Sequence, residues 1–225
     1  MKTNTVAFLF IGQSPRPDVM DEMRLALPGF TIREYGALDG LSLAAIEAEL
    51  SPASPADMLI TKLSDGSGVA VSEAKLPQRL QLKLDEAARE GADAAVLMCT
   101  GSFAGLSCAV PLFTMDDVFH KNLTLPEGAK HIGLIVPEEP QRQPFEGKYA
   151  HFALPVTSAA ASPYGGSENV TAAALSLKAA GADVIALDCM GYSIALAKKV
   201  SQATGLPVLT PRQETAAAIM RRADL

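Results

Sequence analysis

The sequence is poor in cysteine. Its three cysteines are Cys99, Cys108 and Cys189, and no two of them form a Cys-x-x-Cys motif or another close spacing. An odd number of widely separated cysteines argues against a disulfide framework, and isolated thiols do not make a structural metal site. We therefore expect a cytoplasmic protein with reduced thiols, and the role of these thiols becomes the first question.

The sequence also lacks a long hydrophobic run. The apolar stretch over residues 6–11 leads into Gly-Gln-Ser without a small-residue cleavage site, which argues against a signal peptide. No stretch approaches the roughly 20 apolar residues that span a bilayer. With 19 basic and 25 acidic residues the net charge is −6, which disfavours binding to a phosphate backbone. We expect neither a membrane nor a nucleic acid as partner.

Short apolar and β-branched runs alternate with Ala-rich amphipathic stretches along the chain. This alternation is typical of βα units around parallel sheets and predicts an α/β fold. Two alternating runs, 59–63 and 69–71, flank a Gly-containing turn and predict a β-hairpin. The predicted strands are 5–11, 31–35, 94–99, 131–136, 150–156, 182–188 and 207–209, and the predicted helices are 17–27, 42–50, 73–90, 168–180, 193–204 and 211–223.

Two segments, offset by 90 residues, repeat one pattern around a cysteine. Residues 90–101 (EGADAAVLMCTG) match residues 180–191 (AGADVIALDCMG) at two glycines and at an Ala, an Asp, a Leu and a Cys. Each copy predicts a helix ending at Gly, a buried strand, and then Cys99 or Cys189 at the strand's carboxyl end. Open α/β sheets bind ligands beyond that end of their strands. We therefore expect two similar lobes whose cysteines approach one ligand.

Two thiols on opposite sides of a ligand could act as an acid and a base. One thiolate would remove a proton from one face of a carbon acid, and the other thiol would return a proton to the opposite face. The alternative is that both cysteines are small buried strand residues. The polar and glycine neighbours that follow Cys99 and Cys189 favour function, whereas Cys108, within Leu-Ser-Cys-Ala-Val, is expected to pack in the core.

Five segments carry a resemblance to a known family. They are residues 10–19 (FIGQSPRPDV), 63–72 (LSDGSGVAVS), 97–102 (LMCTGS), 132–137 (IGLIVP) and 184–192 (VIALDCMGY). In these segments the sequence resembles the AroM family, within the aspartate/glutamate/hydantoin racemase superfamily, and the resemblance spans essentially the whole chain.

The resemblance implies a fold and a type of activity. The fold would be two pseudo-symmetric Rossmann-like lobes with parallel sheets and an active site at their interface. The first lobe would comprise residues 1–110 and 208–225, with the hairpin as an insertion at about 59–72, and the second would comprise residues 111–207. The activity would be that of a racemase or isomerase that needs no cofactor and no metal.

The resemblance also implies residue roles. Cys99 and Cys189 match the superfamily's catalytic cysteines. The other matching positions would bind substrate. One group is the turn after the first strand, which also helps to activate the nearer thiol. The other two groups directly follow the cysteines in sequence and would hold the substrate carboxylate; they are called the first and second cradle below. These positions are Gly12, Gln13 and Ser14 in the turn, Thr100, Gly101 and Ser102 in the first cradle, and Met190, Gly191 and Tyr192 in the second. N–H groups where a strand turns into a helix bind anions and lower a thiol pKa.

Two further residues are candidates from their own positions. Arg16 lies in a proline-stiffened loop after the first strand and is suited to a bidentate carboxylate contact, although a solvated arginine is the alternative. Thr210 closes the last short strand and is expected to face the same crevice. Asp188, beside Cys189, either tunes that thiol or caps a turn.

The sequence departs from amino-acid racemases after each cysteine. It has Cys-Thr-Gly and Cys-Met-Gly, where those enzymes carry Cys-Asn-Thr and Cys-Thr-His. Its histidines, His120, His131 and His151, lie elsewhere and are expected to be surface or structural residues. The loss of polar partners for an α-amino group argues against aspartate and glutamate as substrates.

The preferred hypothesis is a cytoplasmic, cofactor-independent isomerase of a small carboxylate or cyclic amide. One alternative is a non-catalytic carboxylate-binding or regulatory protein. A second is an enzyme with a single nucleophilic thiol, similar to maleate isomerase. A homodimer is left open.

Overall fold

A computed structural model describes residues 4–54 and 57–221. The chain divides into two compact units, of which the first ends at Thr114 and the second begins at Met115. Each unit contains one four-stranded parallel sheet with helices in its connections, so the predicted α/β class is confirmed. No helix within the described residues is both long and apolar enough to cross a membrane.

The first unit is built around a central apolar strand. Its elements are the strands β1 (Thr5–Phe10), β2 (Thr31–Gly36), β3 (Met58–Lys62), β4 (Gly68–Ser72), β5 (Ala94–Leu97) and β6 (Leu112–Thr114), and the helices α1 (Pro17–Ala26), α2 (Leu43–Leu50) and α3 (Leu76–Arg89). The sheet order is β2-β1-β5-β6 with every pair parallel. β1 and β5 are interior strands, and this explains why their sequences are continuously apolar rather than alternating.

The predicted hairpin is confirmed. β3 pairs with β4 in antiparallel register, from Met58 opposite Ser72 to Lys62 opposite Gly68. A 3-10 turn over Glu73–Lys75 then leads into α3. The hairpin thus delivers its last strand to the start of the helix that precedes β5.

The second unit repeats this plan. Its strands are β7 (Ile132–Val136), β8 (Val156–Ala160), β9 (Val184–Leu187) and β10 (Val208–Leu209), and its helices are α4 (Arg142–Lys148), α5 (Ser167–Ala179), α6 (Ile194–Thr204) and α7 (Pro211–Arg221). The sheet order is β10-β9-β7-β8, again with parallel pairs. A π-helix over Asp117–Lys121 precedes β7.

The internal repeat is visible in equivalent hydrogen bonds. The Asp93 backbone N–H donates to Thr5 O at 2.8 Å, and the Asp93 carboxylate accepts from Thr5 N at 2.8 Å. In the second unit the Asp183 N–H donates to His131 O at 3.0 Å, and its carboxylate accepts from His131 N at 3.1 Å. Each repeated aspartate therefore ties one interior strand to the start of its neighbour and sets the register of the cysteine-bearing strand.

The C-terminal segment, residues 208–225, was expected to return to the first lobe, but the structure places its described part in the second unit. Over its described part, β10 pairs with β9, and α7 packs on the π-helix, so both belong to the second unit. At the other boundary β6 pairs with β5, which carries the first unit to Thr114 rather than to residue 110.

Two predictions of local structure are wrong. The strand expected over 150–156 begins only at Val156, because Pro155 precedes it and residues Ala150–Phe152 form a 3-10 turn. The helix α4 (Arg142–Lys148) was absent from the predicted helices.

Candidate functional site

Cys99 stands at the carboxyl end of β5. The Met98 N–H continues the strand pairing by donating to Leu9 O at 2.8 Å, and the chain then turns away. The Gly101 N–H donates to Cys99 Sγ at 3.4 Å, and the side chain is 9% exposed. An N–H group directed at sulfur stabilises the thiolate relative to the thiol.

Cys189 has the same surroundings at the end of β9. The Asp188 N–H donates to Ile135 O at 2.8 Å, and the Gly191 N–H donates to Cys189 Sγ at 3.3 Å. Cys189 is half-buried, and neither Cys99 nor Cys189 forms a disulfide. The sequence repeat is therefore also a repeat of thiol geometry, in which a backbone donor two residues further on contacts each sulfur.

Glu73 places a carboxylate beside the first thiol. A Cβ atom built at Gly101 would lie 3.4 Å from Cys99 Sγ and 3.5 Å from Glu73 Oε1, so thiol and carboxylate flank one point. Sequence reasoning missed Glu73, because only the return of the hairpin through the 3-10 turn brings it there. A carboxylate on the same side of this turn is a candidate proton acceptor for the site.

The predicted turn after β1 is held by internal hydrogen bonds. The Gln13 amide donates to Leu41 O at 2.9 Å and to Leu38 O at 3.3 Å, and its oxygen accepts from Ser64 N at 2.9 Å. The Ser14 hydroxyl donates to Asp39 Oδ2 at 2.7 Å. Both amide hydrogens of Gln13 are thus in use, and the side chain braces the turn.

Gly12 belongs to the same turn. A Cβ there would overlap Thr61 Oγ1 and the backbone of Lys62, so glycine permits the close approach of β3. Substrate contact by Gly12, Gln13 and Ser14 stays a prediction.

Arg16 already holds a carboxylate of its own chain. Its Nε and Nη2 donate to Asp18 Oδ1 and Oδ2, each at 2.8 Å, and the guanidinium lies 5.5 Å from the centre of the Phe10 ring. The side chain is buried. The bidentate geometry expected for a ligand is therefore realised with Asp18, and a ligand contact by Arg16 would have to replace that pair.

The second cradle is organised by a buried arginine that the sequence did not single out. Arg212, in the first turn of α7, donates from Nε to Met190 O at 2.7 Å and from Nη2 to Gly191 O at 3.4 Å. The two carbonyls belong to the residues directly after Cys189. α7 thereby fixes the turn that places the Gly191 N–H at the sulfur, a role that a sequence separation of more than 20 residues concealed.

The remaining predicted residues divide into two groups. Thr100 and Ser102 belong to the first cradle, in the turn that follows Cys99. Thr100 is buried and Ser102 is exposed, and their contact with substrate stays a prediction. Tyr192 and Thr210 instead have structural contacts: the Tyr192 hydroxyl donates to Ala161 O at 2.7 Å, and Thr210 Oγ1 accepts from Gln213 N at 3.3 Å, at the start of α7. Burial raises the pKa of Tyr192, which keeps that hydroxyl protonated.

A buried ionic cluster lies behind Cys189. His120 Nδ1 is 2.7 Å from Asp116 Oδ1, and His120 Nε2 is 2.7 Å from Asp188 Oδ2. Lys148 Nζ donates to Asp116 Oδ1 at 2.8 Å, and the Tyr149 hydroxyl donates to Asp188 Oδ2 at 3.0 Å. These five residues are called the His120 cluster below.

The cluster favours a charged imidazole. Burial disfavours the imidazolium, but hydrogen bonds to both aspartates and the charge of Asp188 outweigh it and raise the pKa of His120. Burial, and then the charge of Asp188, raise the pKa of Tyr149 well above its ordinary value, so the phenol remains a donor. Asp188 is a buried ion-pair partner directly before Cys189, and a tuning effect on that thiol stays a prediction.

The other histidines and Cys108 have structural contacts, as expected. His131 Nε2 lies 2.8 Å from Thr157 Oγ1, and His151 Nδ1 lies 3.0 Å from Lys148 O. Cys108 packs against the core of the first unit, with Sγ 3.8 Å from Leu84 O. His120 also has structural contacts, and its contact with Asp188 brings it close to the second cysteine turn.

Comparison with solved structures shows the fold these units share with known proteins. A liganded variant of arylmalonate decarboxylase aligns with a TM-score of 0.64 at 15% identity, covering 97% of this chain and 92% of the other. Allantoin racemase from Klebsiella pneumoniae gives 0.64 at 15% identity, covering 97% and 86%. Glutamate racemase from Bacillus anthracis gives 0.57 at 17% identity, covering 98% and 82%. The fold is accordingly that of the Asp/Glu racemase-like proteins.

Sequence comparison identifies the family. No curated protein sequence matches the chain significantly. A family model described as AroM protein matches residues 6–221, nearly the full length. With the hairpin and both cysteine segments inside the matched range, the chain belongs to the AroM family.

Proposed function

We propose that the protein is a cofactor-independent racemase or epimerase in which Cys99 and Cys189 move a proton at the α-carbon of a small carboxylate or cyclic amide. One observation carries the proposal: each thiol stands at the end of an equivalent strand and accepts an N–H hydrogen bond from the glycine two residues on. A thiol that is merely packed in a core does not need a backbone donor directed at its sulfur.

The proton transfer is balanced within the pair. One cysteine begins as a thiolate and takes the α-proton, and the electron pair of the C–H bond passes into the adjacent carbonyl as an enolate. The other cysteine begins as a thiol and gives its proton to the opposite face of the carbon. The product has inverted configuration, and the two thiols have exchanged protonation states. No external oxidant or reductant enters the step.

The similar structures favour this type of reaction. Two of them are named as racemases, of allantoin and of glutamate, and a third as a decarboxylase of arylmalonate. The glycines after both cysteines replace side chains that could bind an α-amino group, which favours a substrate without a free amine. Because the net charge is −6, an anionic substrate must be attracted by local N–H groups rather than by the whole molecule.

The test is hydrogen exchange at the α-carbon. Small hydroxy acids, dicarboxylates and cyclic ureides are incubated with the protein in D₂O and followed by proton NMR. We expect exchange in the parent protein and in Cys108→Ser, the matched control, and a loss of at least ~100-fold in the Cys99→Ser/Cys189→Ser double variant. Each single variant at Cys99 or Cys189 should lose inversion of configuration. Exchange that persists in the double variant would exclude the two-thiol mechanism.

Two other outcomes would identify the alternatives. A compound that raises the melting temperature without any exchange would indicate a binding or regulatory protein. A covalent adduct found by mass spectrometry on one cysteine only would indicate single-thiol nucleophilic catalysis.

A further inference from the structure

The His120 cluster offers a control on the second thiol. We propose that His120 is a positioning residue for Cys189: its imidazolium neutralises the Asp188 carboxylate, which would otherwise oppose formation of the Cys189 thiolate. This inference deepens the proposed function and rests on it for the use of Cys189 in catalysis.

Asp188 and Cys189 are adjacent but face opposite sides of the sheet. The aspartate belongs with Tyr149 and the side of β9 that contributes Val184 and Ala186, whereas Cys189 packs against the cluster that contains Ile185 and Leu187. Side chains alternate along an extended strand, and this accounts for the division. The carboxylate therefore acts on the thiol through space and not through a hydrogen bond.

The charge of Asp188 is poorly screened. The residue has 0% exposure, and within the described part of the chain its Oδ1 atom has no hydrogen-bond partner. Consecutive Cα atoms are only about 3.8 Å apart, so the carboxylate remains close to the sulfur although the two side chains point to opposite faces of the sheet. At such distances a like charge disfavours ionisation of its neighbour.

The hydrogen bonds require a doubly protonated imidazole while both aspartates are ionised. A neutral imidazole has one N–H and can donate to one carboxylate, yet His120 has a carboxylate oxygen 2.7 Å from each ring nitrogen. The imidazolium and Lys148 then balance Asp116 and Asp188, and the neutral Tyr149 hydroxyl completes the set of polar groups. Loss of the His120 proton leaves one net negative charge directly behind Cys189.

The local backbone supports this arrangement. His120 lies in the π-helix Asp117–Lys121, and its ring makes edge contacts with Phe119, Phe145 and Tyr149 at centroid distances of 6.0, 6.1 and 5.6 Å. These aromatic edges exclude water from the ion pairs. π-helical turns occur frequently at functional sites.

The test measures the ionisation of Cys189 without any substrate. In a Cys99→Ser/Cys108→Ser background Cys189 is the one remaining thiol, and its alkylation by iodoacetamide is followed by intact mass spectrometry from pH 5 to 10. We expect His120→Gln to raise the apparent pKa of Cys189 by about one unit, which slows alkylation near neutral pH by ~10-fold. His131→Gln, at the opposite end of the same sheet, is the matched control and should leave the profile unchanged.

A second substitution separates charge from packing. Adding Asp188→Asn to His120→Gln removes the uncompensated carboxylate and should return the apparent pKa of Cys189 to the parent value. A profile in His120→Gln equal to that of His131→Gln, or one that the second substitution does not restore, would overturn the proposal.

If His120→Gln does not fold, the pH dependence of Cys189 alkylation in the parent background provides an independent test. Because loss of the His120 proton at alkaline pH opposes thiolate formation, the parent curve should be shallower than a single ionisation, and Asp188→Asn alone should restore the single-ionisation shape. A single-ionisation curve in the parent would contradict the inference. None of these readouts requires turnover, so their failure is distinguishable from a failure of isotope exchange.

Discussion

At the scale of single residues, the His120 cluster predicts a pH dependence of stability. The folded-state pKa of His120 is raised above its ordinary value. Its contribution to the free energy of unfolding is therefore fully present below the unfolded pKa of about 6.5 and is lost as pH rises through the folded pKa. Urea denaturation from pH 5.5 to 9 should show this loss in the parent and in His131→Gln. A His120→Gln protein with the same pH slope would contradict the assignment.

Individual residues also differ in how far the sequence predicted their contacts. The repeat predicted that Cys99 and Cys189 end equivalent strands, because Gly, Asp and Cys recur at one offset and each has a local structural role. The sequence did not indicate that His120 would meet Asp188, 68 residues away, since that contact depends on packing of the π-helix against β9. Arg16 and Tyr192 had suitable chemistry for a ligand, yet internal partners already bind both side chains.

At the scale of elements, the two cysteine turns are similar but not equally crowded. A Cβ at Gly191 would lie 2.7 Å from Pro163 Cγ and 3.0 Å from the Tyr164 hydroxyl oxygen. A Cβ at the equivalent Gly101 would meet its neighbours only at ordinary contact distances, starting with Cys99 Sγ at 3.4 Å. Sequence alone makes these glycines equivalent, and only the loop that follows β8 distinguishes them.

This difference in crowding predicts that a glycine-to-alanine substitution is more destabilising at Gly191 than at Gly101. Gly191→Ala must displace the Pro163 loop or the turn itself, and we expect it to cost about 1–3 kcal/mol of unfolding free energy. It should also slow alkylation of Cys189, since the Gly191 N–H moves away from the sulfur. Gly101→Ala should change stability by less than about 0.5 kcal/mol. Equal effects of the two variants in urea denaturation would show that the Pro163 contact does not restrict the turn.

At the scale of the whole molecule, the chain forms two units that share a four-stranded parallel sheet and differ in the elements added to it. The hairpin belongs to the first unit, and the π-helix and α7 belong to the second. Periodicity and the repeat predicted the alternating α/β elements, but they could not assign the last 18 residues to a unit, because a strand of two residues carries no pattern that identifies its sheet. The pairing of β10 with β9, and the bond from Arg212 to Met190, connect this segment to the second cysteine turn.

The placement of α7 leads to a test by hydrogen–deuterium exchange. Ile219 in α7 is fully buried, whereas the neighbouring Met220 is 43% exposed. Ile219→Ala should cost about 2–5 kcal/mol, because truncation of a buried aliphatic side chain leaves a cavity, and Met220→Ala should cost little. We expect the added exchange in Ile219→Ala to appear in the π-helix and in β9, which pack with the C-terminal segment. Added exchange confined to β1 and β5 would assign α7 to the first unit instead, and would remove the structural basis for a role of Arg212 behind Cys189.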